Sequence, residues 1–140
     1  MTKVTAREVK DVLKGRWPRL RYVWCWDPHY RLLELEEVRK LVETSKVPEM
    51  EFIEYFNDCD DFALHLLSEV RMRSYNARDI TRELVPLAVG FVFMLGDGLV
   101  IPDHAANIGI TNEREVWLMD ATDRSVRPAE ESDDVRFVFI

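Results

Sequence analysis

The sequence is poor in the features that identify several large classes of protein. It has only two cysteines, Cys25 and Cys59, so it carries no disulfide framework. Its longest apolar stretch, Val85 to Leu95, is about half the length of a membrane span, and we find no secretion signal at its start. Its 19 basic residues are outnumbered by 26 acidic ones, and the net charge of −7 argues against a nucleic-acid or membrane partner. We therefore expect a cytoplasmic protein with reduced thiols.

The length and the apolar content predict one domain that spans residues 1–140. Single domains cluster near this size, and 47% of the residues are apolar, which is enough for a core. No repeat, low-complexity tract or flexible linker marks an internal boundary. The oligomeric state is left open by the sequence.

Helical patterns dominate the first half of the chain. Thr5 and Glu8 form a capping box that predicts a short helix through Leu13. A second helical pattern covers residues 34–42, and residues 51–56 suggest a further helical turn. The strongest pattern predicts a helix over residues 59–73, with Asn57 or Asp58 as N-cap and one apolar stripe, formed by Phe62, Ala63, Leu66, Leu67 and Val70.

Strand patterns follow. Residues 20–26 predict a short strand or an extended buried segment, and residues 85–95 a buried strand that ends in a turn at 96–98. Further strands are predicted over residues 100–111, 115–120 and 135–140. This order predicts an α+β fold class, with N-terminal helices and a central helix that carries Cys59, packed on a mostly antiparallel sheet.

A thiol, an imidazole and a carboxylate occur along the chain in the order that nucleophilic cysteine catalysis uses. Cys59 is predicted in the first turn of its helix, where the helix dipole favours a thiolate. His104 and Asp120 lie on successive predicted strands, and their separation of sixteen positions is even. A three-residue loop pairing Ile110 with Arg114 would put them directly opposite each other, and a five-residue loop would displace them diagonally on one face. We predict these three residues as a catalytic triad.

Acidic residues beside Cys59 suggest a bound cation. The carboxylates of Asp58, Asp60 and Asp61 should raise the pKa of the thiol, which opposes the effect of the helix terminus. A Ca²⁺ ion, which prefers oxygen ligands, would offset this charge through Asp60 and Asp61. Zinc held by Cys59, His104 and Asp120 is a further alternative.

Several short motifs resemble a known family. Cys59-Asp-Asp-Phe-Ala63, His104-Ala-Ala-Asn107 and an acidic residue after an apolar strand are similar to the papain-like domain at the C-terminus of a mushroom agglutinin, which small phage and bacterial proteins also carry. The resemblance implies a papain/transglutaminase-like core in which Cys59 is the nucleophile, His104 the general base and Asp120 the orienting acid. It also implies an activating calcium site that includes Asp60 and Asp61. Because the agglutinin's lectin portion has no counterpart here, the resemblance implies no sugar binding.

Two functions from different classes follow from these patterns. The first is a cysteine hydrolase that cleaves a peptide or amide bond in a peptide or protein substrate, with Ca²⁺ as a possible cofactor. The alternative is a non-catalytic module on the same fold that binds a divalent cation or another protein. The acidic composition and the small size suit this alternative equally.

Overall fold

The fold is formed by a central sheet with helices packed against it. A computed structural model describes residues 2–76, 85–95 and 102–140. Within these ranges the helices are α1 (Ala6–Arg16), α2 (Leu35–Glu43), a 3-10 helix (Val47–Glu49) and α3 (Cys59–Asn76). The strands are β1 (Lys3–Thr5), β2 (Tyr22–Trp24), β3 (His29–Arg31), β4 (Val89–Leu95), β5 (Pro102–Ile110), β6 (Val116–Asp120), β7 (Ser125–Pro128) and β8 (Val135–Phe139). The turn predicted at residues 96–98 lies outside the described residues.

The strands form one large sheet and one small one. In the described part of the chain, the large sheet has six strands in the order β2-β8-β4-β5-β6-β7. Its neighbours are antiparallel except for β2 and β8, which pair in parallel with Tyr22 opposite Phe137. Strands β1 and β3 form a separate antiparallel pair. Of the two alternatives predicted for residues 20–26, the short strand is therefore confirmed as β2, at the edge of the large sheet, and the extended buried segment is not.

The predicted α+β fold class with a papain/transglutaminase-like core was wrong. The described residues are organised by the six-stranded sheet, and α1 and α2 are short helices of 11 and 9 residues. Helical periodicity can be recognised in a sequence over two turns. Strands of three or four residues are too short for their alternation to be recognised. A sequence-based prediction therefore overestimates the helical content of this chain. Residues 51–56 form no helical turn; a tight turn is closed there by hydrogen bonds between Ile53 and Asn57.

Helix α3 is fixed to the sheet by apolar packing and by one buried amide. Its apolar stripe is buried, as the sequence predicted, and α3 packs mainly on β5 and β4. The Asn107 side chain is completely buried, and its Nδ2 donates to the Ala63 carbonyl at 2.8 Å and to the Gly90 carbonyl at 3.2 Å. Because a buried polar group is costly unless it is hydrogen-bonded, these contacts fix the position of α3 relative to β5.

Two glycines provide a test of how tightly the sheet is packed. A Cβ on Gly90 would lie 2.1 Å from the Phe139 carbonyl oxygen, whereas a Cβ on Gly15, in α1, has nothing within 4 Å. We expect Gly90→Ala to lower the free energy of unfolding by about 3 kcal/mol, because strands β4 and β8 must separate. Gly15→Ala should raise it by about 0.5–1 kcal/mol through helix propensity. Urea unfolding of both variants is the measurement, and equal effects would contradict the close approach of the two strands.

Candidate functional site

Cys59 is the first residue of α3, and its sulfur lies close to β5. Its side chain is partly buried, and it accepts hydrogen bonds from the backbone N–H groups of Ala105 and Asp60. Burial raises the pKa of the Cys59 thiol above its ordinary value, and the charges of Asp58 and Asp60 add to this effect. The Ala105 N–H acts in the opposite direction but does not outweigh burial. The thiol is therefore held in its protonated form at neutral pH, contrary to the thiolate expected from the helix dipole.

His104 and Asp120 are brought together by the hairpin of β5 and β6. Ile110 pairs with Val116, and the same register carried outward displaces His104 diagonally from Asp120 on one face of the sheet. This is the diagonal offset of the five-residue alternative and not the pairing of Ile110 with Arg114, although a hydrogen bond between Thr111 and Glu115 leaves only residues 112–114 in the loop itself. The His104 Nε2 lies 2.8 Å from the Asp120 Oδ2, which is a hydrogen-bond distance. His104 precedes Ala105 along β5, so this pair lies next to the residue that contacts the Cys59 sulfur.

The turn between these strands explains their register. Thr111 donates its backbone N–H to the Glu115 carbonyl at 2.9 Å, which leaves a loop of residues 112–114. Arg114 has a φ of 62°, the left-handed conformation typical of the last residue in a three-residue hairpin loop. The loop is thus centred one residue later than predicted, which preserves the even offset between His104 and Asp120.

Asp120 is held as a carboxylate by its surroundings. Burial alone would raise its pKa, but the hydrogen bond with His104 lowers it, and so do hydrogen bonds from Thr122. The Thr122 backbone N–H and hydroxyl donate to Asp120 Oδ1 at 2.9 and 2.5 Å. Together these contacts lower the pKa of Asp120 to about 2. The carboxylate therefore orients the imidazole ring of His104, whichever role that ring has.

The acidic residues around Cys59 form a compact set of donor atoms. Asp58, Cys59 and Asp60 each offer one donor atom, and these atoms all lie within 4.8 Å of one another. The interaction between the two carboxyl groups raises the pKa of Asp60 and lowers that of Asp58. Asp61 instead accepts a hydrogen bond from the Asp58 backbone N–H at 3.3 Å. Two carboxylates in contact repel each other, and a cation placed between them would relieve that repulsion.

A groove of about 560 Å³ lies beside the first turn of α3 and the turn that precedes it. It is lined by side chains that include Ile53, Phe56, Asp61 and His65. Tyr55 and Phe56, in the turn before α3, are largely exposed to solvent.

Comparison with known proteins identifies structures with the same fold. One is described as "PSL1a-E64 complex"; it superposes with a TM-score of 0.81 and 19% sequence identity, over 99% of this chain and 51% of that chain. Another is Polyporus squamosus lectin bound to the influenza-binding epitope Neu5Acα2-6Galβ1-4GlcNAc, with a TM-score of 0.78 and 19% identity, over 99% of this chain and 49% of that chain. No protein-family model and no curated protein matches the sequence. The chain spans about half the length of these structures, and at this identity the match shows the fold alone.

These comparisons correct the family assignment made from the motifs. The assignment to papain-like cysteine proteases was wrong, because the structures with the same fold belong to a lectin. The cysteine hydrolase function, which was predicted from the order of Cys59, His104 and Asp120 as well as from that assignment, is also wrong, because the fold is shared with a lectin. The ligand named with one of these structures is a carbohydrate, which gives no support to a peptide substrate. Within the described residues, no helix is long and apolar enough to cross a membrane.

The structure assigns supporting contacts to residues outside the predicted catalytic and metal sites. Asp58 was predicted as an N-cap, and its carboxylate accepts a hydrogen bond from the Tyr55 backbone N–H at 3.2 Å. Thr122 holds Asp120, although its only sequence signal is its position two residues after a strand-terminal aspartate. Asn107 belongs to the opposite face of β5 from His104, as alternation predicted, and it contacts α3 there.

The lowered pKa of Asp120 makes part of the stability depend on pH. Because the pKa is about 2 in the folded protein and 3.8 ordinarily, this stabilisation is complete above about pH 4 and is lost as the pH falls toward 2. We expect Asp120→Asn to lower the free energy of unfolding by about 2 kcal/mol at pH 7 and to flatten its pH dependence in that window. Denaturant unfolding between pH 2 and 7 is the measurement, with Asp11→Asn, an exposed change on α1, as control. An Asp120→Asn protein with unchanged pH dependence would contradict the assignment.

Proposed function

We propose that this chain is a non-catalytic binding module that takes up Ca²⁺ through Asp58 and Asp60. The observation that carries this proposal is the closeness of the two carboxyl groups at the start of α3, where donor atoms of Asp58, Cys59 and Asp60 lie within 4.8 Å of one another. Their oxygens are the ligand type that Ca²⁺ prefers. Ca²⁺ would neutralise both carboxylates and relieve the repulsion between them.

The geometry of the acidic set also limits the affinity. Ca²⁺ takes six to eight oxygen ligands, and two aspartates provide at most four of them. Water would supply the remaining ligands, so we expect a dissociation constant on the order of 10⁻⁴–10⁻³ M. The partly buried thiol of Cys59 lies against this site and contributes a protonated sulfur, which is a poor ligand for a hard cation.

The surroundings of Cys59 support a non-catalytic role. Nucleophilic catalysis needs a thiolate, and both burial and the neighbouring aspartates raise the pKa of this thiol. His104 and Asp120 connect the ends of β5 and β6, which gives their hydrogen bond a structural function. On this proposal the three residues predicted as a triad stabilise the cation site and the hairpin beside it.

Calorimetric titration with Ca²⁺ tests the proposal. The wild-type chain should bind Ca²⁺ with the weak affinity given above, and Asp60→Asn should weaken binding by at least about tenfold because one charged ligand is lost. Asp61→Asn should have a smaller effect, since Asp61 is engaged with the Asp58 backbone.

Asp11→Asn, which removes the same charge from an exposed position on α1, is the matched control and should leave the affinity unchanged. If Asp11→Asn and Asp60→Asn lowered the affinity for Ca²⁺ equally, the change in net charge alone would explain the result, and the proposed site would be contradicted. Tighter binding of Zn²⁺ than of Ca²⁺, lost on Cys59→Ser, would overturn the choice of metal.

Alkylation of the two cysteines provides a second test within one protein. If Ca²⁺ neutralises Asp58 and Asp60, the pKa of Cys59 must fall, and its labelling by iodoacetamide at pH 7.5 should accelerate severalfold. Cys25, whose pKa is raised chiefly by burial, should be unaffected. Asp60→Asn should label Cys59 faster without Ca²⁺ and show no further response to it. Peptide mass spectrometry measures both rates, and a Ca²⁺ effect of equal size on Cys25 would contradict the site.

Carbohydrate binding is a second candidate function, which the sequence did not imply. It is supported by the lectin that shares the fold, whose structure contains a trisaccharide. It is also supported by Trp24, an indole that is 61% exposed at the edge of the large sheet. Exposed tryptophan offers a large rigid surface on which a sugar ring can stack.

A further inference from the structure

The groove beside the first turn of α3 has apolar walls that are open to solvent. Its volume of about 560 Å³ lies within the range of small-molecule sites, which is enough to admit a large side chain of a partner. Met50, Ile53 and Phe56 supply its apolar lining, and Phe56 is 78% exposed. Exposed apolar side chains that share one concave surface mark an interaction site, whereas isolated ones need no explanation.

Hydrogen bonds hold the turn that carries these side chains in one conformation. The backbone groups of Ile53 and Asn57 pair in both directions, at 2.9 and 2.7 Å, and the Asn57 Nδ2 donates to the Glu51 carbonyl at 2.7 Å. Tyr55, at the tip, has a φ of 63°, a left-handed conformation that is uncommon for an aromatic residue. Because this wall is ordered before a ligand arrives, binding does not incur the entropic cost of ordering it.

An aromatic contact fixes the turn to the helix. The ring of Phe52 lies against the ring of Phe62, with 5.8 Å between their centroids. Phe62 belongs to the buried apolar stripe of α3. The two walls of the groove, which are the turn and the first turns of α3, therefore keep a fixed separation.

The groove lies in an acidic part of the chain. Glu51 and Asp61 are among its lining residues, and lysine and arginine are not. Residues 47–70 contain seven acidic side chains and no lysine or arginine, so this segment alone has a charge as large as the net charge of −7 of the whole chain. A surface of one sign attracts partners of the opposite sign. The occupant should therefore carry cationic groups next to its apolar one.

This charge selects among the possible occupants. A second copy of the chain docked through the same surface would place the carboxylates of both copies against each other, which is unfavourable. The phosphate groups of a lipid surface would be repelled in the same way. An uncharged apolar ligand would fill the groove but leave its carboxylates without a partner. A peptide segment with one apolar side chain between lysines or arginines satisfies both the walls and the carboxylates.

From this combination we infer that the groove docks a basic segment of a partner protein. An aromatic or aliphatic side chain of the segment fills the groove, and the flanking lysine or arginine side chains lie against Glu51 and Asp61. Asp58 and Asp60 do not line the groove, so this docking surface is separate from the residues proposed to bind Ca²⁺.

Fluorescence anisotropy with labelled peptides tests the inference, at physiological ionic strength and in a chelator, so that Ca²⁺ plays no part. The probe is the peptide Lys-Lys-Phe-Lys-Lys, and its matched peptides replace the phenylalanine by alanine or the lysines by glutamates. We expect the probe to bind at least about tenfold more tightly than either matched peptide. Phe56→Ala and Glu51→Lys should each weaken its binding by about tenfold, through loss of the apolar wall and reversal of the charge.

Tyr55→Ala and Asp11→Lys are the matched controls and should change the affinity by less than about twofold. Tyr55 is 91% exposed and adjacent to Phe56, but it does not line the groove. Asp11→Lys makes the same change in charge as Glu51→Lys, at an exposed position on α1. Far-ultraviolet circular dichroism of each variant confirms that it is folded.

Each contrary outcome has a separate meaning. Equal binding of the phenylalanine and alanine peptides would show attraction by charge alone and overturn the groove. Losses of equal size in Glu51→Lys and Asp11→Lys, or in Phe56→Ala and Tyr55→Ala, would overturn it as well.

Two further measurements test the other occupants. Self-association of the chain in sedimentation velocity, abolished by Phe56→Ala, would assign the groove to a second copy and overturn the inference. Binding to phosphatidylcholine vesicles, abolished by the same change, would assign it to a lipid surface with the same consequence. All of these measurements leave the Ca²⁺ proposal untouched, because they are made without Ca²⁺.

Discussion

The register of the β5–β6 hairpin is the constraint on which the candidate site depends. A loop of three residues, closed by the left-handed conformation of Arg114, pairs Ile110 with Val116. Since side chains alternate along a strand, a slip of one residue would move His104 and Asp120 to opposite faces. The same alternation puts Asn107 on the other face, where its amide binds the Ala63 carbonyl of α3. One strand thus positions the imidazole on one side and the helix that carries Cys59 on the other.

The sequence predicted the structural features that depend on residues close together in the chain. The capping box at Thr5 and Glu8 is present, with the Glu8 N–H donating to the Thr5 hydroxyl at 3.2 Å. Helix α3 begins at Cys59, and the even offset of His104 and Asp120 survives in the hairpin. These features depend on residues that lie within one or two turns or on the two sides of one loop.

The sequence did not predict the structural features that depend on residues far apart in the chain. Strand β2 has three residues and pairs in parallel with β8, more than a hundred positions away, and nothing in either segment specifies that partner. Because residues 20–26 are rich in aromatic and β-branched residues, the sequence predicted a short strand or an extended buried segment and did not distinguish the two. In the structure Val23 and Cys25 are half-buried and the tryptophans on either side of Cys25 are exposed, because only one face of an edge strand packs inward. The family assignment failed for a related reason, since five residues around Cys59 describe a capped helix start as well as an active site.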